Sequence, residues 1–208
     1  MNHLFQNSSF FAIRKSMARN IEFNEEEAVQ KAMEVFWEKG YNSASLRELT
    51  DAMQINSSSL YNTIGDKQEL FVRCVKHYID VRKKDLQKRA ESSASPFDIL
   101  VKYINDAVDV IISETKGCMA VKTAFEMGAD DQRVKDLLKV DSDNAYQFIY
   151  LHIKNAMEQG KISNEEEPEL LADYFISTWT GWYESYLLHK DAAKIKRMAQ
   201  YFIKQISK

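Results

Sequence analysis

The scarcity of proline and glycine constrains this chain more than any other feature of its sequence. Only two prolines and six glycines occur among the 208 residues. Tight turns depend on these residue types, so a β-sheet protein of this length would need more of them. Helix-favouring glutamate, lysine, alanine, leucine and methionine are abundant. The sequence therefore predicts an all-α protein, and 45% hydrophobic residues are enough for a sizeable core.

The charge balance gives no simple sign of a nucleic-acid partner. The net charge is −3, and residues 17–90 carry twelve basic and twelve acidic side chains. A DNA-binding surface in this segment must therefore depend on how side chains are arranged, because there is no excess of positive charge.

Cysteine usage and hydropathy favour a cytoplasmic protein. Cys74 and Cys118 lie far apart without metal-ligand spacing, which is typical of reduced thiols. No apolar run approaches the roughly 20 residues of a membrane span, and the N-terminus lacks the order of features of a signal peptide. We find no nucleophile–base set, phosphate loop or metal cluster, so we expect no enzymatic activity, no cofactor, no metal and no membrane contact.

The first helices carry clear capping signals. Asn24 precedes three glutamates and predicts a helix start, and Gly40 predicts its end. Ser45 and Glu48 form the pattern of a capping box that opens a second, short helix. Asn56 predicts the start of a third helix of about two turns, which has few apolar side chains. Its surface is instead small or polar: Ser57, Ser58, Tyr61 and Asn62.

Longer helices follow. Asp66 is expected to cap a fourth helix over about 67–89, and the serine-rich stretch before Pro96 is the clearest linker. Apolar periodicity then predicts helices over about 96–114, 118–127, 131–159, 168–188 and 192–206.

The second and third helices together have the pattern of a helix-turn-helix at about 44–63. Two short helices joined by a short turn define this motif, and its second helix is sized to enter the major groove of DNA. Hydroxyl and amide side chains on that helix can bond to phosphates or to base edges.

The residues of this region closely resemble the DNA-binding domain of the TetR family of repressors. The stretches that carry the resemblance are AMEVFWEKGY at 32–41, SLRELT at 45–50 and SLYNTIGDKQELF at 59–71. The resemblance covers residues 21–81, and GCMAV at 117–121 resembles a segment seen in part of the family. It implies a DNA-binding domain at 21–81 and a helical regulatory and dimerisation domain at 82–208. Residues 1–20, which precede the first helix signal, are expected to form a mostly disordered arm.

The resemblance also implies which side chains meet DNA. The expected contacts to double-stranded operator DNA are Ser45, Arg47, Ser57, Ser58, Tyr61, Asn62 and Lys67. One departure from the family pattern is Gln54, which stands where the turn usually has a glycine with positive φ.

Dimerisation is the next implication, because one head reads too few base pairs to be selective. In the family, the last two helices of each subunit form a four-helix bundle. The large side chains expected to anchor it are Phe175, Trp182, Tyr186, Met198, Tyr201 and Phe202. The same residues also fit an ordinary intramolecular core.

Finally, the resemblance implies a repressor that a small molecule releases from its operator. The residues expected to line the effector pocket are Met119, Phe125, Met127, Tyr146, Trp179 and Tyr183, although each also fits a plain core role. Two alternatives remain open at this point. The regulator could respond to a protein partner or to modification of the Cys118 thiol, or the chain could be a helical adaptor without DNA affinity.

Overall fold

The computed structural model describes residues 24–113, 117–127 and 131–208, without the side chain of Met127. These residues confirm the predicted all-α class. They contain nine helices and no strand, apart from one isolated bridge between Ile162 and Ser207. The helices are α1 (Glu25–Ser43), α2 (Leu46–Met53), α3 (Ser57–Thr63), α4 (Lys67–Ala90), α5 (Pro96–Ile112), α6 (Met119–Met127), α7 (Gln132–Glu158), α8 (Pro168–His189) and α9 (Ala192–Ile206).

Local capping determines where the first helices begin. The Asn24 side chain accepts hydrogen bonds from the backbone N–H groups of Glu26 and Glu27, and Asn56 and Asp66 cap α3 and α4 in the same way. These side chains satisfy donors that the first turn of a helix leaves unpaired.

The regular helical geometry of α1 breaks at Gly40, where its end was predicted, and one further turn follows. The helix kinks at Gly40, where φ is +81°, and then continues to Ser43. The extra turn persists because its backbone N–H groups at Tyr41 and Asn42 donate to the carboxylate of Glu126 on α6.

Two hydrophobic clusters organise the molecule. We call α1–α3 together with the first half of α4 the head. The second half of α4 together with α5–α9 is the body. The head core contains Val29, Met33, Phe36, Leu49, Met53, Leu60, Ile64, Leu70, Phe71 and Val75. The body core contains Leu100, Ile104, Val108, Ile111, Ile149, Ile153, Trp182 and Phe202.

The head and the body are not independent units. α4 contributes Ile79 to the head core and Leu86 to the body core. In addition, Met119 of α6 and Val134 of α7 are buried within the head core. The body therefore supplies part of the surface on which the head packs. Across the described ranges, no helix combines the length and the apolar character needed to cross a membrane.

The turn between α2 and α3 gives a first prediction. Gln54 adopts φ +58° and ψ +37°, a left-handed conformation in which a Cβ costs on the order of 1 kcal/mol. Gln54→Gly should raise the free energy of unfolding by up to about 1 kcal/mol in chemical denaturation. Lys190→Gly is a parallel test of the same effect, because Lys190 has φ +52° at the end of α8. An unchanged or lower free energy in both variants would show that neither turn is strained.

Candidate DNA-binding surface and regulatory cavity

The predicted recognition surface is the outward side of α3. Leu60 is fully buried and anchors α3 to the head core, while Ser57, Ser58, Tyr61 and Asn62 are exposed. Positions four apart share one side of a helix, so these four side chains form one continuous polar patch. More than half of the Tyr61 surface is accessible (55%). The patch is suited to hydrogen bonding with DNA and contributes little to stability.

Ser45 and Arg47 stand at the start of α2 in different roles. The Ser45 hydroxyl donates to Glu48 Oε2 at 2.7 Å and accepts from the Glu48 N–H at 3.2 Å, so the predicted capping box is present. Hydrogen bonds from Lys39 and Ser45 lower the pKa of Glu48 to about 2. Arg47 extends into solvent, with its Nε 3.7 Å from Asp51. Arg47 can therefore reach a phosphate, whereas the Ser45 hydroxyl is already engaged within the helix cap.

Lys67 opens α4 beside the recognition helix. Its Nζ lies 4.5 Å from the centre of the Tyr41 ring, a cation–π geometry. Tyr41 in turn packs against Phe36 and Phe71 of the head core. The sequence pattern predicted Lys67 as a contact but gave no sign of Tyr41, because the two residues lie on different helices.

A cavity of about 600 Å³ lies between the head and the body, bounded by α1 and α4–α8. This volume falls in the range of small-molecule sites. The indole of Trp179 on the wall donates to the Ala107 carbonyl at 3.4 Å. The wall is largely apolar and includes Trp37, Val110, Leu138, Ile149, Phe175 and Trp179.

The predicted pocket residues are only partly in this position. Trp179 lines the cavity, whereas Met119 is buried in the head core. Phe125 is 78% exposed. Tyr146 stacks on Tyr150, and Tyr183 packs in the body core, both away from the cavity wall. The side chain of Met127 lies outside the described residues. The family resemblance and the residue types suggested these positions, but neither indicates which side of each helix faces the cavity.

Polar groups on the wall are concentrated along α4. The Arg82 Nε donates to Asp141 Oδ1 at 2.9 Å. Burial raises the pKa of Asp141, and Arg82 opposes that shift. The Tyr78 hydroxyl lies 3.7 Å from the Cys118 sulfur, and burial raises the pKa of Tyr78. Among the described residues, no group of three potential metal ligands comes together.

The residues predicted to anchor a dimer divide into two groups. Phe175, Trp182, Tyr186 and Phe202 are at most 4% exposed and pack inside the subunit. Within the subunit these four side chains have the core role that the sequence also allowed, because edge-on and tilted ring contacts join Phe175, Trp182 and Phe202. Trp182 and Phe202 also line the groove between α8 and α9. Met198 is partly buried, and Tyr201 is 64% exposed. Other large apolar side chains exposed on α8 are Leu170, Tyr174, Leu187 and Leu188.

Comparison with protein families assigns both parts of the chain. The family described as tetracyclin repressor-like, C-terminal domain, matches residues 97–202, about half of the sequence. The family described as bacterial regulatory proteins, tetR family, matches residues 28–74, which include the helix-turn-helix.

Individual relatives agree with this assignment. The chain is 28% identical over 152 residues to the uncharacterized HTH-type transcriptional regulator YezE of Bacillus subtilis, covering 72% of this chain and 78% of the relative. It is 24% identical over 155 residues to the HTH-type transcriptional repressor DhaR of a Mycobacterium species, covering 74% and 77% of the two chains.

Solved structures share the fold. Reduced NemR of E. coli superimposes with a TM-score of 0.79 at 14% identity, covering 88% of this chain and 96% of that one. A cysteine-substituted CifR in complex with 26-base-pair operator DNA gives a TM-score of 0.73 at 23% identity, covering 88% and 96%. With its helix-turn-helix head and its helical body both matched, the chain belongs to the TetR family of DNA-binding transcriptional regulators.

Proposed function

We propose that the protein is a cytoplasmic, homodimeric repressor that binds operator DNA through α3 and releases it when a small molecule enters the cavity. One observation carries the proposal: α6 lines the cavity on one side and holds the head on the other. The names of relatives such as DhaR and ComR, both HTH-type transcriptional repressors, support repression as the mode of regulation.

The small size of the recognition patch supports the dimer. Each head offers only four polar side chains on α3, with Arg47 and Lys67 beside them, and residues 17–90 have no excess of positive charge. A two-fold pair of heads doubles the contacts and fixes the spacing of the half-sites.

The surface of α8 and α9 has the character of an interface between subunits. A groove of about 290 Å³ runs between the two helices, with Tyr174 and Tyr201 among its lining residues. Leu187 and Leu188 add exposed apolar surface toward the end of α8. A cluster of large apolar side chains on a soluble subunit marks a protein–protein contact.

The coupling between cavity and head runs through what we call the α6–α1 clamp, formed by Lys122 and Glu126 with the end of α1. Glu126 accepts from the Tyr41 N–H at 3.0 Å and from the Asn42 N–H at 2.8 Å. Lys122 Nζ donates to the Trp37 carbonyl at 2.9 Å. Charge-assisted bonds to backbone groups fix the position of α1 relative to α6.

The opposite side of α6 faces the cavity through Ala120, Val121 and Ala124. A ligand that displaces α6 therefore pulls on the Tyr41 backbone, and the Tyr41 ring contacts Lys67. Ligand and DNA then favour different positions of α6, so each weakens the binding of the other.

A second polar junction lies next to Lys67. Asp131 accepts from the Gln68 amide at 2.7 Å, and Arg133 pairs with Glu69 at 2.7 Å. Hydrogen bonds from Arg133 and Gln68 lower the pKa of Asp131 to about 2. The end of α6 thus holds the helix before the helix-turn-helix, α1, and the start of α7 holds the helix after it, α4.

Thiol control is a second candidate for regulation. Cys118 lies on the cavity wall, and Arg82 Nη1 is 4.0 Å from its sulfur. Thermal-shift and DNA-release assays on Cys118→Ser separate the two candidates, because a response to a non-covalent effector survives this substitution and a thiol response does not.

The first prediction from this proposal concerns Lys67. Lys67→Met should weaken binding to the preferred duplex, selected by the protein from a randomised pool, because a phosphate contact is lost. The slope of log K against log salt should fall by about 0.9 per lost contact, or about 2 for a dimer. Lys154→Met, an exposed position on α7, is the control. Equal slopes for the two variants in gel-shift titrations would remove Lys67 from the interface.

The second concerns the dimer. Leu188→Glu places a charge on a side chain that is 70% exposed on α8. We expect a monomer in analytical ultracentrifugation and loss of specific DNA binding, with helical content retained. Leu151→Glu on α7 is the control, since Leu151 is also exposed. A Leu188→Glu variant that remains a dimer would place the interface elsewhere.

The third concerns the clamp. Glu126→Gln should weaken operator binding about tenfold, about 1.4 kcal/mol, because the end of α1 is held less firmly. The effects of Glu126→Gln and Lys67→Met on affinity should be non-additive by about 0.5–3 kcal/mol. Glu158→Gln, exposed near the end of α7, is the control. Additive effects would show that the clamp does not act through Lys67.

A further inference from the structure

Two arginines on the cavity wall, seven residues apart on α4, use their guanidinium groups differently. Arg89 donates from Nε to Asp85 and from Nη1 to Asp106, both at 2.6 Å. Arg82 donates from Nε to Asp141 at 2.9 Å. Its Nη1 lies 4.0 Å from the Cys118 sulfur and its guanidinium carbon lies 5.7 Å from the centre of the Tyr78 ring, but no second carboxylate meets it among the described residues. Arg82 thus repeats half of the arrangement seen at Arg89.

Arg82 lines the cavity without a second carboxylate partner. Asp141 is buried, yet 26% of the Arg82 side-chain surface is accessible, and Arg82 is one of the wall residues. A guanidinium edge with two parallel N–H donors matches a carboxylate in a bidentate geometry. A charge that is enclosed but incompletely hydrogen-bonded is costly, so a ligand that completes it gains binding free energy.

The rest of the wall selects for a hydrocarbon body. Ile149, Phe175 and Trp179 line the cavity together with Val110 and Leu138. The three wall carboxylates all have arginine partners, so no acidic group is left unpaired to attract a cation. Asp85, which gives the wall its excess negative charge, is half exposed (52%), and solvent screens it.

We propose that the cavity binds an amphipathic monocarboxylate, with its carboxylate on the Nη edge of Arg82 and its hydrocarbon chain along Ile149, Phe175 and Trp179. Only the release of DNA that should follow binding rests on the proposed function. Binding itself depends on the geometry of the wall.

The test compares three probes with the same chain and different head groups: decanoate, decan-1-ol and decyltrimethylammonium. Trp37 and Trp179 line the cavity, so their fluorescence reports occupancy. Decanoate should bind about tenfold more tightly than decan-1-ol, because only the carboxylate forms charge-assisted bonds. Arg82→Lys should reduce this preference to about twofold or less, because lysine lacks the fork, while leaving decan-1-ol unchanged.

Arg89→Lys is the matched control, because the Nε and Nη1 groups of Arg89 already donate to Asp85 and Asp106. It should preserve the preference for decanoate. If Arg82→Lys does not fold, as judged by circular dichroism, the order of the three probes on the unmodified protein decides the question. Equal binding of decanoate and decan-1-ol, or tightest binding of decyltrimethylammonium, would overturn the proposal.

Operator release, measured in the same samples, separates this inference from the proposed function. Decanoate binding through Arg82 without release of the duplex would support the ligand class and contradict effector control. Release of the duplex by decan-1-ol or decyltrimethylammonium, but not by decanoate, would support effector control and contradict the ligand class.

Discussion

The proposed regulation depends on the carboxylate of Glu126. Glu126 accepts hydrogen bonds from two successive backbone N–H groups at the end of α1, immediately after the kink at Gly40. A Cβ at Gly40 would lie 2.6 Å from Glu126 Oε2, and its φ of +81° is unfavourable for other residues. Glycine therefore permits both the kink and the close approach of the carboxylate. Without this contact, α6 would still line the cavity but would bind the head less firmly.

The same contact makes the head part of a larger unit. Met119 and Val134 are buried in the head core although they belong to the body. Apolar packing and hydrogen bonding thus join α6 and α7 to the helices that carry the recognition patch. A polar patch of serine, tyrosine and asparagine contributes little binding free energy by itself, so its position relative to a second head decides whether binding is specific. Under the proposed function, small shifts of α6 for this reason have a large effect on DNA affinity.

Features set by neighbouring residues could be predicted from the sequence. Asn24, Ser45 with Glu48, Asn56 and Asp66 cap their helices as expected, because a cap involves residues only two or three positions apart. The pattern of short helices predicted the helix-turn-helix, and the family resemblance added the expected DNA contacts.

Features set by distant residues could not be predicted in this way. Glu126 meets Tyr41 across 85 positions, and no local pattern indicates such a pair. Periodicity showed that Phe175 and Trp182 would be buried but not that their partners lie in the same subunit. It also failed to identify the Arg82–Asp141 pair, because the two residues lie 59 positions apart on different helices.

Amide hydrogen exchange at Tyr41 and Asn42 tests the central claim most directly, since these are the two N–H groups that Glu126 holds. Our account predicts that operator DNA slows the exchange of both amides and that a ligand bound in the cavity, such as decanoate, speeds it while releasing the duplex. Release of the duplex by a cavity ligand with unchanged exchange at both amides would contradict the account, because the signal would then reach the head without passing through the clamp.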